Sequence, residues 1–307
     1  MGRVVGVRDF LGDLFLAMNL ILGSGGFIGK ALANRIDAEL VKTSSVGPRL
    51  DKDHEWLPLR GVDTVYLCAG RTGGVGRMAG DPFSFILPNV RIHMNVFESC
   101  QKAGVRKVVC LQSTTGYPST SEMVSEDQYL DGEVHDAYYA PGNANRFIYR
   151  ISKLFDFDTV FLRPSNVYGP GNNFDPTTSH VIEATVRKVV EKQDPFVIWG
   201  TGKEVRDAIY IDDLVEAMAT DLPAGAYNVG TGTEMNVDEM VGVLLNHADF
   251  HPEVRHDLSK PTAIPARRVN CDKLRSFGWT PKVSMPEGLK RTLDWYRTQS
   301  SHGCPLK

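Results

Sequence analysis

The chain of 307 residues is 42% hydrophobic and 23% charged, and it carries a net charge of -3. This length allows one or two domains with a substantial core, whereas the dispersed lysines and arginines offer no basic face for a nucleic acid or an anionic membrane. The five cysteines form no CxxC pair and have no histidine at ligand spacing, so they indicate neither a disulfide framework nor a metal site.

The N-terminal region is apolar, but it does not resemble a targeting segment. Residues 10–22 lack the basic start and small-residue cleavage site of a signal peptide, and no stretch reaches the roughly 18 apolar residues of a membrane span. We therefore expect a cytoplasmic protein with no membrane contact. Met18 begins a strand and a glycine turn in the manner of a natural start. Residues 1–17 are then either an extension upstream of that start or, given the helical spacing of their apolar residues, an added helix.

Short apolar runs alternate with amphipathic stretches from Asn19 onward. Helices of about 10 to 15 residues between such runs predict right-handed crossovers and a parallel sheet. We expect an α/β fold of the Rossmann type, with a doubly wound parallel sheet. The predicted strands are 20–22, 40–42, 62–69, 107–112 and 159–163, and the predicted helices are one that ends at Ile36, 89–103 and 144–154.

The pattern changes after Pro164 to loops, a helix near 180–191 and short strands, and 252–265 is predicted to be an irregular connection. This pattern indicates a smaller C-terminal α/β lobe that binds the substrate. The predicted units are an NAD(P)-binding Rossmann domain over 18–165, to which part of 205–232 returns, and a substrate-binding lobe over 166–307.

Three glycines follow the first predicted strand and open the next helix. Gly23, Gly26 and Gly29 form a G-x-x-G-x-x-G run that includes Phe27 and Ile28. Glycine suits positions where a turn takes positive φ, where the backbone approaches a pyrophosphate, and where a helix meets a strand closely. A lone glycine run is also typical of a plain turn, but its place between a strand and a helix predicts a dinucleotide site.

The end of the second predicted strand indicates which dinucleotide binds. An acidic residue there would hold the ribose diol of NAD, whereas a cation favours the 2′-phosphate of NADP. The segment Val41-Lys42-Thr43-Ser44-Ser45 contains no acid, and Lys42 and Ser44 suit a phosphate. We expect NADP(H) as the preferred cofactor, with NAD(H) as the alternative if Lys42 is only a solvated strand end.

Several segments in a fixed order carry a resemblance to a known family. Besides the glycine run, they include Cys68-Ala-Gly-Arg-Thr-Gly-Gly, Asn89 with Asn95, Ser113-Thr-Thr-Gly-Tyr-Pro, Arg163-Pro-Ser-Asn-Val-Tyr-Gly-Pro and Arg206-Asp-Ala-Ile-Tyr-Ile-Asp-Asp. Over 18–296 the chain resembles the extended short-chain dehydrogenases/reductases, the NAD-dependent epimerases and dehydratases, and most of all their GDP-L-fucose synthase group. The resemblance implies an enzyme that acts on a nucleoside-diphosphate sugar by hydride transfer and forms a homodimer.

The resemblance assigns catalytic roles to Ser113 and Tyr139. Ser113 would polarise a substrate hydroxyl or carbonyl, and Tyr139 would move the proton. The family places a lysine four residues after the tyrosine because a phenol with a pKa of about 10 is a poor base at neutral pH. That position is Asn143 here. A literal Tyr-x-x-x-Lys occurs at Tyr149 and Lys153 and is the second choice, since it lies too near the following strand for the family spacing.

The GDP-L-fucose synthases use a cysteine and a histidine for epimerisation. Thr115 stands in place of the cysteine, whereas the histidine is retained as His180. A hydroxyl is a far weaker acid than a thiol, so a double epimerisation is not expected. His180 is then a single acid or base, a substrate contact, or a helix-start residue without chemistry. The serine loop also lacks the acidic residue that the resemblance would require of a dehydratase.

The remaining site residues follow from the same resemblance. A planar guanidinium matches the oxygens of a diphosphate, although each arginine can equally be a surface ion-pair partner. Arg267 is a further candidate beside Arg268. The predicted substrate-binding residues are Thr115, Asn166, Arg187, Arg206 and Arg268. The predicted cofactor-binding residues, besides the glycine run, are Lys42, Ser44, Asp51, Ala69, Gly70, Pro164, Asn166 and Val167.

Two hypotheses for the function follow. The first is an NAD(P)-dependent epimerase or reductase of a nucleoside-diphosphate sugar, in which a 4-keto sugar is reduced or a 4-hydroxyl is epimerised. The second is a catalytically impaired protein that keeps the dinucleotide as a sensor or as support for a partner. The replacement of the usual lysine by Asn143 motivates this second hypothesis.

Overall fold

The computed structural model of the chain describes residues 18–41, 50, 57, 59–73, 80–260 and 264–301. The predictions for residues 1–17 and for Lys42, Ser44 and Asp51 lie outside these described residues.

Six of the described strands form one sheet in which every neighbouring pair is parallel. They are β1 (Met18–Leu22), β2 (Glu39–Val41), β3 (Val62–Leu67), β4 (Lys107–Leu111), β6 (Asp158–Pro164) and β11 (Gly225–Val229). Their order across the sheet is β11-β6-β4-β3-β1-β2. The strand order reverses between β1 and β3, which makes the sheet doubly wound. The predicted α/β Rossmann-type fold is confirmed.

Helices cover the sheet and the second half of the chain. Alternate residues of β1 enter two different cores: Ile21 packs into one, and Leu20 and Leu22 pack into the other. Both faces of the sheet are therefore buried, as expected for parallel strands joined by helical crossovers. The helices are α1 (Phe27–Ala33), α2 (Phe83–Ala103), α3 (Tyr139–Ile151), α4 (Val181–Val190), α5 (Ile211–Ala219), α6 (Val237–His247), α7 (Asp272–Arg275) and α8 (Met285–Ser301).

A second, four-stranded sheet connects the two halves of the chain. Its order is β12-β9-β14-β5, so a short strand from the first half pairs with β14 from near the C-terminus. Two further pairs, β10 with β7 and β13 with β8, complete the described strands. These strands are β5 (Met123–Val124), β7 (Asn166–Tyr168), β8 (Phe196–Trp199), β9 (Val205–Arg206), β10 (Ala208–Tyr210), β12 (Met235–Asn236), β13 (Val254–Asp257) and β14 (Ala266–Val269).

The prediction of an irregular connection over 252–265 is wrong, because this segment contains β13, which pairs in parallel with β8. Three of its four side chains are exposed and the fourth is half-buried, so the apolar alternation that reveals a strand is missing.

Three predicted helix bounds also shift. Helix α3 begins at Tyr139 rather than at 144, since Pro141 lies in the first turn, where its missing N–H has no partner within the helix. Helix α2 begins at Phe83 and continues through Pro88, and α1 ends at Ala33.

Candidate active site

Polar and glycine residues gather where the parallel strands end. Gly23 and Ser24 follow β1, Ala69 and Gly70 lie just beyond β3, and Ser113 comes after β4. Pro164 is the last residue of β6, and Asn166 and Val167 open β7. Ligands of doubly wound sheets bind at the carboxyl edge, in the crevice where the strand order reverses.

The turn between β1 and α1 has no room for side chains at two of its glycines. Gly23 has a φ of +91°, and a Cβ built on it would lie 2.6 Å from the backbone nitrogen of Ala69. A Cβ on Gly29 would collide with the carbonyl oxygen of Gly23. The turn therefore packs directly on the end of β3 at the reversal point, and Gly26, Phe27 and Ile28 begin α1 there.

Unpaired polar atoms at this edge fit a dinucleotide. The hydroxyl oxygens of Ser24 and Ser165 are buried and have no hydrogen-bond partner among the described residues. Buried polar groups are normally satisfied, so these two hydroxyls favour a polar ligand. The loop beyond Gly70 is fixed by Asn89, whose amide exchanges two hydrogen bonds of 2.7 and 2.9 Å with the Arg71 backbone.

The loop after β4 presents two hydroxyl groups. The Ser113 hydroxyl accepts a hydrogen bond from the Thr115 backbone N–H at 3.2 Å, which leaves its own proton free for a ligand. The Thr115 side-chain oxygen is buried and has no partner among the described residues. Tyr129 donates to the Ser113 carbonyl oxygen at 3.1 Å and so holds the loop from beneath.

Helix α3 packs directly against the loop that follows β4 and contains Ser113 and Thr115. A Cβ on Gly142 would lie 2.6 Å from the Thr115 carbonyl oxygen, so only glycine permits this approach. Arg146, nearly fully buried, donates to the carbonyl oxygens of Gly116, Gly132 and Asp131, each at 2.7 Å. These contacts bring the first turn of α3 to the Ser113 loop.

Tyr139 is the first residue of α3, and 61% of its surface is exposed. Asn143 lies one helical turn later, and its amide donates to the Tyr139 carbonyl oxygen at 2.9 Å. The side chain one turn after Tyr139 is therefore neutral and bound to its own helix.

The second-choice pair is separated from this site. The Tyr149 ring packs against Phe161, at 5.3 Å between ring centroids, and against the Arg163 guanidinium, at 4.8 Å. Lys153 follows the end of α3 and is exposed, with its ammonium 5.1 Å from the Tyr149 ring centroid. Tyr149 thus belongs to the core beneath the loop.

His180 and Glu183 lie one turn apart at the start of α4. His180 is the N-cap residue of α4 and is solvent-exposed. Glu183 is buried and accepts a hydrogen bond of 2.6 Å from the Asn172 amide. Its other carboxyl oxygen has no partner among the described residues, and burial raises its pKa to about 7.

Two of the predicted arginines are engaged in ion pairs. Arg187 pairs with Glu191 at 2.6 Å and also donates to the Phe174 carbonyl oxygen at 3.2 Å. Arg268 pairs with Glu234 and donates to the Ser121 carbonyl oxygen at 2.6 Å. Neither guanidinium is therefore a free cation in this structure.

Arg206 and Arg267 are brought together by strand pairing. They are register partners on β9 and β14, whereas Arg268, one residue further along, lies on the opposite side of the strand. Arg206 donates to the carbonyl oxygens of Val205 and Ile264 at 2.7 and 2.9 Å, and Arg267 donates to the Pro118 carbonyl oxygen at 3.1 Å. One terminal nitrogen of Arg267 is buried without a partner among the described residues.

Sequence reasoning missed three residues of this region. Arg146 resembles an ordinary helix cation, and Glu183 resembles an acid in the first turn of a helix. Tyr138, beside Tyr139, is half-buried close to Arg206 and Arg267. The adjacent Tyr-Tyr pair was the one available signal, but nothing local shows which of the two faces the arginines.

Among the described residues, no group of three or more His, Cys, Asp or Glu side chains could hold a metal ion, and no helix is long and apolar enough to cross a membrane. Asp213 has a structural role: its carboxylate accepts hydrogen bonds from the backbone N–H groups of Lys282 and Val283 at 2.9 and 3.0 Å.

Comparisons with known proteins agree with this arrangement. The model of the NAD dependent epimerase/dehydratase family matches residues 19–230. GDP-L-fucose synthase 1 of Arabidopsis thaliana is 33% identical, over 95% of this chain and 92% of its own length. Two solved structures share the fold. A GDP-6-OMe-4-keto-L-xylo-heptose reductase from C. jejuni has a TM-score of 0.83 at 23% identity, with 94% of this chain and 99% of that chain covered. A GDP-mannoheptose C4 reductase from Campylobacter jejuni with NADP bound has a TM-score of 0.77 at 22% identity, with 93% and 100% covered.

Proposed function

The chain belongs to the NAD dependent epimerase/dehydratase family, and we propose that it is an NADP(H)-dependent reductase of a 4-keto sugar linked to a nucleoside diphosphate. The observation that carries this proposal is the contact of Gly142 with the Thr115 carbonyl oxygen, which brings the Tyr139 helix to the Ser113 loop at the edge of the sheet. A relative named GDP-L-fucose synthase supports a GDP-linked sugar as the first substrate to test.

The glycine turn and the sheet edge would hold the cofactor. The closely packed Gly23 and Gly29, with the unpaired hydroxyls of Ser24 and Ser165, fit a dinucleotide. When bound, NADPH supplies the hydride. Preference for NADP(H) over NAD(H) rests on the sequence after β2, which offers Lys42 and Ser44 and no acid.

The neutral side chain of Asn143 is compatible with work in the reductive direction, in which Tyr139 donates a proton. A phenol that donates a proton to a developing alkoxide does not need a neighbouring cation, because an alkoxide is more basic than a phenolate. A phenol that must first lose its proton, as in oxidation or in hydride-based epimerisation, does need one. The neutral Asn143 amide, bound to the Tyr139 carbonyl oxygen, does not supply that charge.

Ser113 and Thr115 would orient the sugar. The Ser113 hydroxyl keeps its proton for the substrate carbonyl oxygen, and Tyr139 donates the proton that completes the alcohol. The buried Thr115 hydroxyl has no partner among the described residues, and it would accept or donate at a neighbouring sugar hydroxyl. With Thr115 in place of a thiol and His180 alone as an imidazole, reduction would proceed without double epimerisation.

Arg206 and Arg267 would bind the diphosphate, and Asn166 at the start of β7 would assist. The two guanidinium groups lie on paired residues and form no ion pair with a carboxylate among the described residues. We assign to Arg267 the diphosphate-binding role that was predicted for Arg268, because Arg268 is paired with Glu234.

A homodimer through α2 and α3 is proposed as well. These helices pack against each other, and together they expose Phe83, Leu87 and Phe147. Exposed apolar side chains on neighbouring helices are typical of a subunit interface. Sedimentation equilibrium should give twice the chain mass, and Phe147→Glu should shift the protein to the monomer. A monomeric wild-type protein at micromolar concentration would contradict this assembly.

The function is tested by NADPH absorbance with a GDP-linked 4-keto-6-deoxyhexose, with the product identified by mass and NMR. The wild-type protein should consume NADPH, and Tyr139→Phe should lower kcat about a hundredfold or more by removing the acid. Asn143→Lys, run beside them, should raise kcat/KM by a similar factor in both directions, because hydride transfer and its reverse share one transition state.

A silent wild-type protein whose activity appears in Asn143→Lys would contradict the proposed function. It would favour the alternative of a dinucleotide-binding protein that has lost its chemistry. Tight NADPH binding without turnover across GDP-, UDP- and dTDP-linked sugars would point the same way.

A further inference from the structure

Two consecutive tyrosines occupy different environments at the start of α3. Tyr138 ends a short 3-10 turn (Asp136–Tyr138) with φ -120° and ψ 11°, whereas Tyr139 is already helical with φ -49° and ψ -50°. Tyr139 is largely exposed, while Tyr138 is half-buried, with its ring centroid 6.0 Å from that of His135. The hydroxyl groups of Tyr138 and Tyr139 therefore lie in different environments.

Tyr138 lies in a segment that is joined to Arg267 through Pro118. Pro118 forms a β-bridge with Val134, four residues before Tyr138, and its carbonyl oxygen accepts a hydrogen bond from Arg267 at 3.1 Å. Burial raises the pKa of the Tyr138 hydroxyl, and the positive charges of Arg206 and Arg267 oppose that rise. Burial also lowers the pKa of both guanidiniums, and in Arg267 the charge of Arg206 adds to the effect. The phenol thus stays protonated and can donate a hydrogen bond beside two cations.

The two cations form no ion pair with a carboxylate among the described residues, and their recorded partners are backbone carbonyl oxygens. The nearest acid is Glu204, just before β9: its charge is felt by Arg206, but its hydrogen bonds come from the backbone N–H and the hydroxyl of Thr201. Arg267 is only 8% exposed and keeps one buried nitrogen without a partner. Like charges held together in this way are stabilised by a bound anion with several oxygens.

We propose that Tyr138 is a substrate-binding residue whose hydroxyl donates a hydrogen bond to the diphosphate that Arg206 and Arg267 hold. This inference rests on the proposed function, because the diphosphate belongs to the sugar nucleotide. The Cα atoms of Tyr138 and Tyr139 are about 3.8 Å apart. The two phenols can therefore contact one substrate at two points, Tyr138 at the phosphate end and Tyr139 at the carbonyl. Because the two tyrosines are consecutive residues, their spacing sets the distance between the bound diphosphate and the reacting carbon of the sugar.

The experiment is calorimetric titration of GDP, UDP and GMP into the wild-type protein, Tyr138→Phe and Tyr139→Phe, all saturated with NADP. Tyr138→Phe should weaken the preferred nucleoside diphosphate about tenfold or more, the usual effect of losing a hydrogen bond to a charged group. The monophosphate should be affected less. Tyr139→Phe, the matched control, should bind the diphosphate as the wild-type protein does.

Steady-state kinetics provides a second measurement. Tyr138→Phe should raise KM for the sugar nucleotide and leave kcat within about threefold, whereas Tyr139→Phe should lower kcat. In Arg267→Met the additional loss from Tyr138→Phe should shrink, because both groups serve the same phosphates.

The outcomes separate the two proposals. A wild-type protein that binds no nucleoside diphosphate contradicts the proposed function itself. A wild-type protein that binds one while Tyr138→Phe binds it equally well overturns the role of Tyr138 alone. A Tyr138→Phe protein that loses kcat without a change in KM also overturns it.

Discussion

Two pairs of arginines in this molecule, three of them buried and Arg206 half-buried, have different surroundings. Arg146 lies beneath the Ser113 loop with three backbone carbonyl oxygens at 2.7 Å, and Arg163 faces the Tyr129 ring at 3.4 Å from its centroid. Arg206 and Arg267 lie side by side on paired strands, and one buried nitrogen of Arg267 has no partner among the described residues.

The difference separates scaffold from binding site. A buried cation whose donors reach the carbonyl oxygens of several loops fixes those loops to one another, as Arg146 does for the segments at Gly116 and Asp131. Two neighbouring cations that form no ion pair repel each other, and a bound anion relieves that repulsion. Burial and an unpaired nitrogen do not tell these roles apart, because a terminal nitrogen of Arg163 also lacks a partner among the described residues. The neighbouring like charge does, since Arg206 acts on Arg267.

The largest effect is expected from removing the scaffold arginine. Arg146→Met should lower the free energy of unfolding by about 3 kcal/mol or more, because it leaves three carbonyl oxygens unpaired beneath the loop. Urea unfolding at pH 7 measures this. Arg150→Met, on the exposed side of the same helix, should change the free energy by less than about 0.5 kcal/mol. Equal losses in both variants would contradict the scaffold role.

The comparison of buried charged residues also includes an acidic one, Glu183. Glu183 has one unpaired oxygen, and its pKa is raised from 4.5 to about 7 by burial. Its contribution to stability is therefore complete below pH 4.5 and is lost as pH rises through 7, where the buried group ionises. Glu183→Gln should be more stable than the wild-type protein at pH 8 by at most about 3 kcal/mol, and the gain should vanish near pH 4.5.

Urea unfolding between pH 4.5 and 8 checks the Glu183 prediction, with Glu122→Gln in an exposed turn as the control. A difference between Glu183→Gln and the wild-type protein that does not change with pH would show that the carboxyl charge is not its origin.

The smallest effect on folding is expected from removing the binding arginine. Arg267→Met should change the free energy of unfolding by about 1 kcal/mol or less, or even raise it, because it removes an unpaired buried charge. Its affinity for GDP should nevertheless fall at least tenfold. Arg268→Met breaks an exposed ion pair with Glu234 and a hydrogen bond to the Ser121 carbonyl oxygen, and it should leave GDP binding unchanged. Weaker GDP binding in Arg268→Met than in Arg267→Met would reverse the assignment.

The sequence was sufficient for the parallel core of the fold. The predicted strands 20–22, 107–112 and 159–163 are short apolar runs. Their predicted ends lie within one or two residues of the ends of β1, β4 and β6. The sequence did not predict strand β13, because its side chains are largely exposed and only its backbone pairing with β8 defines it.

The candidate site was less predictable, since its geometry depends on contacts between distant segments. The Arg146 partners are 14 to 30 residues away. Arg267 rather than Arg268 meets Arg206 because strand pairing selects every second residue, and a shift of one residue would reverse that choice. The placement of Ser113 and of the glycine run directly after strands was predictable, because it depends on the local sequence pattern.

Strand β11 has a consequence for how the protein is made. It pairs with β6 at the edge of the main sheet, although it follows β6 only after the stretch 165–224 has been synthesised. While the ribosome makes that stretch, the outer edge of β6 has no neighbour and is open to pairing with another nascent chain. The first half of the chain therefore cannot complete its folding unit alone. A gene truncated after residue 165 should yield an aggregating product, and chaperones would be needed most during that interval of translation.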